Sequence, residues 1–308
     1  MLTGQDIAHA AAVLRQGGLV AFPTETVYGL GGDACSDAAV ARIFAAKGRP
    51  QFNPLISHVA DLAAAETLGL FTPEARTLAA AFWPGPLTIV VERTACCPVS
   101  LLASAGLSSI ALRVPSHPVA QALLRAFGGP VVAPSANASG RISPTSADHV
   151  RTSLGTSVDV ILDGGPSQVG LESTVVSFLG TTPQLLRPGG IARRQIEECL
   201  GVALSAPAAG PLHAPGQLES HYAPHATLRL NAERAEVGEA YLGFGPHDHG
   251  PHTLSKRGDA NEAAANLFRM LHLLDATGAA RIAVAPIPNV GLGEAINDRL
   301  RRAAAPRG

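Results

Sequence analysis

Leu19-Val20-Ala21-Phe22-Pro23-Thr24-Glu25-Thr26-Val27-Tyr28-Gly29-Leu30, with Lys47-Gly48-Arg49-Pro50 some twenty residues on, is the stretch from which the fold is read. Four apolar residues stopped by a proline make a short strand of the buried type. Upstream, Ile7, Ala10, Ala11 and Leu14 recur at helical spacing and Gly17-Gly18 end that helix. Downstream, Ser36 can cap a helix carrying Val40, Ile43 and Phe44, which stops at the Lys47-Gly48-Arg49-Pro50 turn. Pro54-Leu55-Ile56-Ser57-His58 reads as the next strand, Thr72-Pro73 as the N-cap and first residue of another helix, and Trp83-Pro84-Gly85-Pro86 as its stop. Strand-like runs continue at 87–91, 110–114, 131–133, 158–162, 174–178 and 184–186, with helical patterns near 118–127 and 146–153. This alternation predicts an α/β fold: an open twisted sheet with flanking helices. Several links are too short for crossovers, so the sheet should be mixed.

A chain of 308 residues suggests two domains at roughly 100–200 residues each. The first is expected over 1–202. Residues 203–226 hold Pro207, Pro211, Pro215 and Pro224 and should form a stiff, extended linker. A smaller C-terminal α/β domain is expected over 227–308. Its strands are read at Thr227–Leu230, Tyr241–Phe244 and Arg281–Ala285. An amphipathic helix over Asn261–Leu274 and a last helix over Ala295–Ala303 complete it. So small a unit should pack on the first domain. Hydrophobic residues make up 46% but aromatics only 4%, so small aliphatic side chains must fill the core.

A net charge of −1 argues against nonspecific nucleic-acid binding, which needs excess basic charge. It leaves room for a local cationic pocket. Cys35, Cys96, Cys97 and Cys199 have no C-x-x-C spacing and read as small buried hydrophobes in a reducing compartment, the cytoplasm. The first residues do not look like a signal peptide, and no apolar run reaches the ~20 residues of a membrane span.

The chain contains only two lysines, Lys47 and Lys256, so a lysine two residues from Arg49 stands out. An ammonium point charge beside a planar guanidinium suits a polyanion. Neither G-x-x-x-x-G-K-[ST] nor G-x-G-x-x-G is present, and there is no G-x-S-x-G elbow. Polar residues instead gather at strand ends: Thr24 and Thr26, His58, Arg113, Ser135 and Asn137, Ser143, Ser173 and Thr174, and Arg187. In open α/β sheets the ligand crevice lies there. Lys47, Arg49, Arg113 and Arg187 with hydroxyl and amide donors fit nucleotide phosphates and a small carboxylate. The histidines from His213 to His252 read as solvated loop rather than metal ligands.

Pro23-Thr24-Glu25-Thr26-Val27-Tyr28-Gly29-Leu30, Lys47-Gly48-Arg49-Pro50 with Asn53-Pro54-Leu55, Pro134-Ser135-Ala136-Asn137, Glu172-Ser173-Thr174-Val175-Val176 and Leu186-Arg187-Pro188-Gly189-Gly190 closely resemble the threonylcarbamoyl-AMP synthase family, with a YrdC-like catalytic domain. Pro215-Gly216 with His221-Tyr222-Ala223-Pro224, and the run from Gly291 to Leu300, resemble the linker and C-terminal domain of its long form. The resemblance implies synthesis of threonylcarbamoyl-AMP from L-threonine, bicarbonate and ATP with Mg²⁺, releasing pyrophosphate. The product would feed the tRNA threonylcarbamoyl transferase machinery at tRNA position 37, without tRNA necessarily binding here. It also implies that Lys47, Arg49, Asn53, Ser109, Asn137, Ser143, Arg187 and Tyr222 face ATP or the adenylate. Thr26, His58, Arg113, Ser135 and Ser173 would face threonine or its carbamate, with Lys47 and Arg49 acting in catalysis. An RNA-binding module and a carbamoyl transferase using carbamoyl phosphate are the rival readings.

Overall fold

The computed structural model describes residues 2–49, 53–206, 220–246 and 250–306. The elements run α1 (Gly4–Arg15), β1 (Val20–Phe22), β2 (Gly29–Asp33), α2 (Asp37–Lys47), β3 (Ile56–His58), α3 (Leu62–Leu68), β4 (Gly69–Leu70), α4 (Pro73–Phe82), β5 (Leu87–Arg93), β6 (Ser109–Arg113), α5 (Pro118–Phe127), β7 (Val131–Val132), α6 (Ala147–Leu154), β8 (Val160–Ile161), β9 (Thr174–Ser177), β10 (Gln184–Arg187) and α7 (Arg193–Leu200). After the linker come β11 (Thr227–Arg229), β12 (Glu239–Leu242), α8 (Ala260–Asp275), β13 (Arg281–Val284) and α9 (Gly293–Ala304).

Strands β10-β9-β5-β6-β3-β7-β2-β1-β8 form one sheet, with β4 on β5. It is mixed. β1–β8, β3–β6 and β5–β9 are parallel, while β1–β2 is antiparallel because only six residues join them. Thr3, Ser36 and Thr72 each cap a helix by accepting a backbone N–H, which fixes where α1, α2 and α4 begin. One sheet face is buried with α2, α3, α4 and α7 by Leu30, Ile89, Leu112, Val132 and Val176. On the other face α1 and α5 cover Val20, Phe22, Val131 and Ala133. Beside them a smaller apolar floor of Ile56, Val90, Ala111, Val175 and Leu186 is left for other use.

Strands β11-β13-β12 form a second, all-parallel sheet. Its core, with Leu267, Phe268, Leu271, Ile282 and Ile296, also takes in Val27, Ile142 and Leu171 of the larger unit and Tyr222 of the linker. The small unit is therefore packed on the large one, as its size requires. Gly170 shows how closely: with φ +70°, a Cβ there would lie 2.6 Å from the α8 backbone at Ala264 and Ala265.

Some expectations need correcting. Gly29–Asp33 is a strand, although its three glycines hide it. A Cβ on Gly31 would meet the Phe22 ring at 2.8 Å, so close strand–ring contact demands glycine there. The cysteines are not buried: Cys35 and Cys96 are exposed, Cys97 and Cys199 half-buried. Of the linker and the histidine-rich segment, 207–219 and 247–249 lie outside the described residues, with Pro207, Pro211, Pro215, His213, His247 and His249 among them. Among the described residues no helix is long and apolar enough to cross a membrane.

Candidate active site

Strand register brings distant residues into one line. His58 pairs with Arg113, Arg113 with Thr88, Thr88 with Val175, and Val175 with Arg187. Residues in register share a face. His58, Arg113, Thr88 and Arg187 thus stand in a row across β3, β6, β5, β9 and β10, bordering the apolar floor of Ile56 and Val175. Above this row lies a cavity with about 480 Å³ of empty space, partly open to solvent.

Of the thirteen residues expected at the site, the cavity is lined by Thr26, Arg49, His58, Arg113, Ser135, Ser173, Arg187 and Tyr222. Lys47, Asn53, Asn137 and Ser143 stand one contact behind its wall. Lys47 Nζ donates to the carbonyl of Ser135 (2.6 Å) and to that of Asn137, and so holds the 134–137 loop. Arg49 donates to the carbonyls of Asn53 (3.5 Å) and Pro54 (3.3 Å). Asn137 Nδ2 donates to the carbonyls of Ala138 (2.8 Å) and Arg141 (2.9 Å). Ser143 Oγ donates to Glu172 Oε1. Ser109, at the far end of β6 from Arg113, is not brought to this cavity. It lines a separate small hollow with Pro54, Ser57 and Leu107.

Local chemistry sets each side chain. Thr24 accepts from the Val27 amide and donates to its carbonyl (2.7 Å), which tightens the turn that aims Thr26 inward. Glu25 grips the Arg113 guanidinium at 2.5 Å and the Ser116 amide at 2.9 Å. Burial alone would raise the Glu25 pKa, but Arg113 holds it below the ordinary carboxylate range. Ser173 Oγ lies 2.7 Å from Thr88 Oγ1 and accepts from Arg187 (3.0 Å), whose guanidinium also donates to the Ser173 carbonyl (2.9 Å). Burial and then Arg113 push His58 down to about 3, so its imidazole is neutral. Burial and then Arg49 push the Lys47 ammonium well below its usual range, and Arg49 falls to about 10.

Two features of this pocket ask for a ligand. First, among the described residues Lys47 and Arg49 have only neutral carbonyl partners while 3% and 7% exposed. Buried charge without a counter-charge is costly. Second, of eleven buried polar side-chain atoms without a hydrogen bond among the described residues, eight belong to Arg49, Asn53, His58, Arg113, Asn137, His221 and Tyr222. Buried polar groups are normally satisfied, so such a concentration marks where a polar ligand completes the bonding. A cation for phosphates fits less well. Among the described residues no group of three metal-ligating side chains occurs, and Glu25 and Glu172 are already engaged by arginines. The pocket residues therefore make no cage for Mg²⁺.

Several site residues escaped the sequence. Thr88 and Glu25 act through Ser173 and Arg113, which the sheet positions, and Glu172 through Ser143 and Arg299 of α9. His221, read as solvated, is buried with its ring 4.2 Å from that of Tyr222. Burial, then Arg49 and Lys47, push it well below its ordinary pKa. Its adjacency to Tyr222 in a motif already quoted was the available signal.

This is an α/β protein with a cationic, polar-lined cavity suited to a bound polyanion. The family profile Sua5_yciO_yrdC, described as "Telomere recombination", matches residues 12–189, and the profile "Threonylcarbamoyl-AMP synthase, C-terminal domain" matches 191–305. The threonylcarbamoyl-AMP synthase of Bacillus subtilis is 42% identical over 98% of this chain and 94% of its own. The crystal structure of P. abyssi Sua5 complexed with L-threonine superposes with a TM-score of 0.90 at 37% identity, covering 99% of this chain and 95% of that one. E. coli YciO matches the larger unit, at TM-score 0.55 and 26% identity over 61% of this chain and 91% of its own. The chain belongs to the threonylcarbamoyl-AMP synthase family.

Proposed function

We propose that this protein is a nucleotidyltransferase that makes L-threonylcarbamoyl-AMP from L-threonine, bicarbonate and ATP. The observation that carries the reading is, among the described residues, the set of buried, unsatisfied polar atoms around two cations that have only neutral partners. Threonine would lie on the sheet row, its carboxylate on the Arg113 guanidinium, whose Nε is unsatisfied. Thr26, His58, Ser135 and Ser173 would surround its amine and hydroxyl. The threonine amine, once deprotonated, adds to carbon dioxide derived from bicarbonate and gives a carbamate. A carbamate oxygen then attacks the α-phosphorus of ATP, and the bond to pyrophosphate breaks. No protein nucleophile is needed, so catalysis is positioning plus charge stabilisation. A neutral His58 with so low a pKa orients by hydrogen bonding and is a poor base.

Lys47 and Arg49 would offset charge on the phosphates. Lys47 spends two of its three donors on the 134–137 loop and keeps one for an oxygen of the nucleotide. Asn53, Ser109, Asn137, Ser143, Arg187 and Tyr222 complete the nucleotide side of the proposal, with Ser109 reached by way of its neighbouring hollow. Mg²⁺ enters as part of the substrate, on the triphosphate. The division into 1–202, 203–226 and 227–308, a cytoplasmic location and delivery of the adenylate to a tRNA-modifying transferase belong to the same reading. The test is incubation with ATP, labelled bicarbonate and L-threonine. Threonine-dependent pyrophosphate release with a labelled adenylate is expected. Its absence, or turnover only with carbamoyl phosphate in place of bicarbonate, overturns the proposal.

A further inference from the structure

Arg299 sits on α9, in the last turns of the chain, and is 1% exposed. None of the site roles above uses it, yet its fork spreads over the cavity wall. Nε donates to Glu172 Oε2 (2.7 Å), Nη2 to the Pro188 carbonyl (3.0 Å) and Nη1 to Asp298 (2.6 Å). Glu172 lines the cavity and its other oxygen accepts from Ser143. The guanidinium carbon also lies 5.0 Å from the centroid of the Tyr222 ring. Tyr222 has φ +65°, a left-handed backbone that a tyrosine holds only when its surroundings impose it. Arg299 below, Phe268 at 5.6 Å between ring centroids and the His221 amide bonded to the Arg302 carbonyl (3.1 Å) impose it. One buried guanidinium thus joins the nucleotide-side serine, the wall carboxylate and the aromatic cover.

We propose that Arg299 is a positioning residue through which the C-terminal unit sets the active cavity, fixing Tyr222 directly and Ser143 by way of Glu172. The proposal rests on the adenylate reading for its catalytic consequence, but its geometric part does not. Simple attachment of the two units is served elsewhere, by the half-exposed pair Arg193–Glu294 at 2.8 Å.

The test compares full-length wild type with Arg299→Met, Arg299→Lys and Glu294→Gln. Tyrosine nitration by tetranitromethane is read by peptide mass spectrometry without substrate, with Tyr28, 0% exposed in the larger unit, as internal control. Turnover is read as kcat, KM and adenylate formed per ATP consumed. In Arg299→Met, Tyr222 should nitrate about tenfold faster or more while Tyr28 stays protected, and adenylate yield per ATP should drop. Arg299→Lys keeps the charge without the fork and should be intermediate. Glu294→Gln should match wild type on both readouts. Tyr222 as protected in Arg299→Met as in wild type, or Tyr222 and Tyr28 exposed together in both Arg299 variants, overturns the inference. A wild-type protein that makes no adenylate sinks the adenylate reading and the catalytic consequence with it, while the nitration pattern still decides the geometry.

Discussion

Replacing Arg113 by methionine tests the sheet row at its centre. Arg113 and Glu25 are 4% and 6% exposed and meet at 2.5 Å, so the variant leaves a buried carboxylate whose described partners are neutral. Breaking a buried pair from one side costs about 3–5 kcal/mol. Removing the second charge as well, in Arg113→Met/Glu25→Gln, should recover most of that, because two apolar or neutral groups of similar size need no counter-charge. Denaturant unfolding followed by circular dichroism reads this as a lower midpoint at unchanged slope. The pH dependence has a definite sign. In wild type Arg113 keeps the folded Glu25 pKa below 4.5, so the pair's contribution is present above that value and fades as pH falls through the folded pKa. In the variant, burial is opposed only by backbone N–H donors such as that of Ser116, so the folded pKa rises from its wild-type position. The deficit against wild type should then be full at high pH and shrink as pH falls through that raised value. Threonine binding by calorimetry should weaken in both variants by about 2–5 kcal/mol, since the guanidinium proposed to hold the substrate carboxylate is gone. A single variant destabilised by under ~1 kcal/mol, or unaltered threonine affinity in the double variant, refutes the assignment.

Lys47→Ala should lower adenylate turnover by about 10²-fold or more, measured as pyrophosphate release, because the site loses the clamp on the 134–137 loop and, in the proposed function, a phosphate donor. His149 of α6 and His272 of α8 stack at 3.8 Å across the two units, and burial followed by His149 pushes His272 down to about 4. A folded pKa below the ordinary 6.5 means stability is lost as pH falls from there toward 4. His272→Gln should remove up to roughly 3 kcal/mol of that acid sensitivity in melting curves taken across the window. Gly170→Ala should destabilise the chain by about 2–4 kcal/mol in denaturant titrations, since its Cβ would meet α8 backbone at 2.6 Å from a left-handed position.

Local sequence carried the elements whose signals are themselves local. The amphipathic run in α8, the threonine and serine caps and the proline stops mark helices and strands without reference to the rest of the chain. Elements whose residues answer to distant neighbours were not legible. β2 is written with glycine because Phe22 packs on it, and Glu25, Thr88 and Glu172 acquire roles only when strand pairing brings up Arg113 and Ser173 and the packing of α9 brings up Arg299. The chain by itself determined an α/β protein of two units whose cations, hydroxyls and amides suit a nucleotide and an amino acid, because apolar periodicity and residue chemistry are local properties. Only the tertiary structure decided that His58, Arg113, Thr88 and Arg187 fall in one row, that Ser109 sits in a neighbouring hollow, and that a C-terminal arginine reaches the cavity wall. Register joins Val20 to Val160 and interunit docking joins Arg299 to Glu172, 140 and 127 positions apart, and nothing in their own neighbourhoods records the partner.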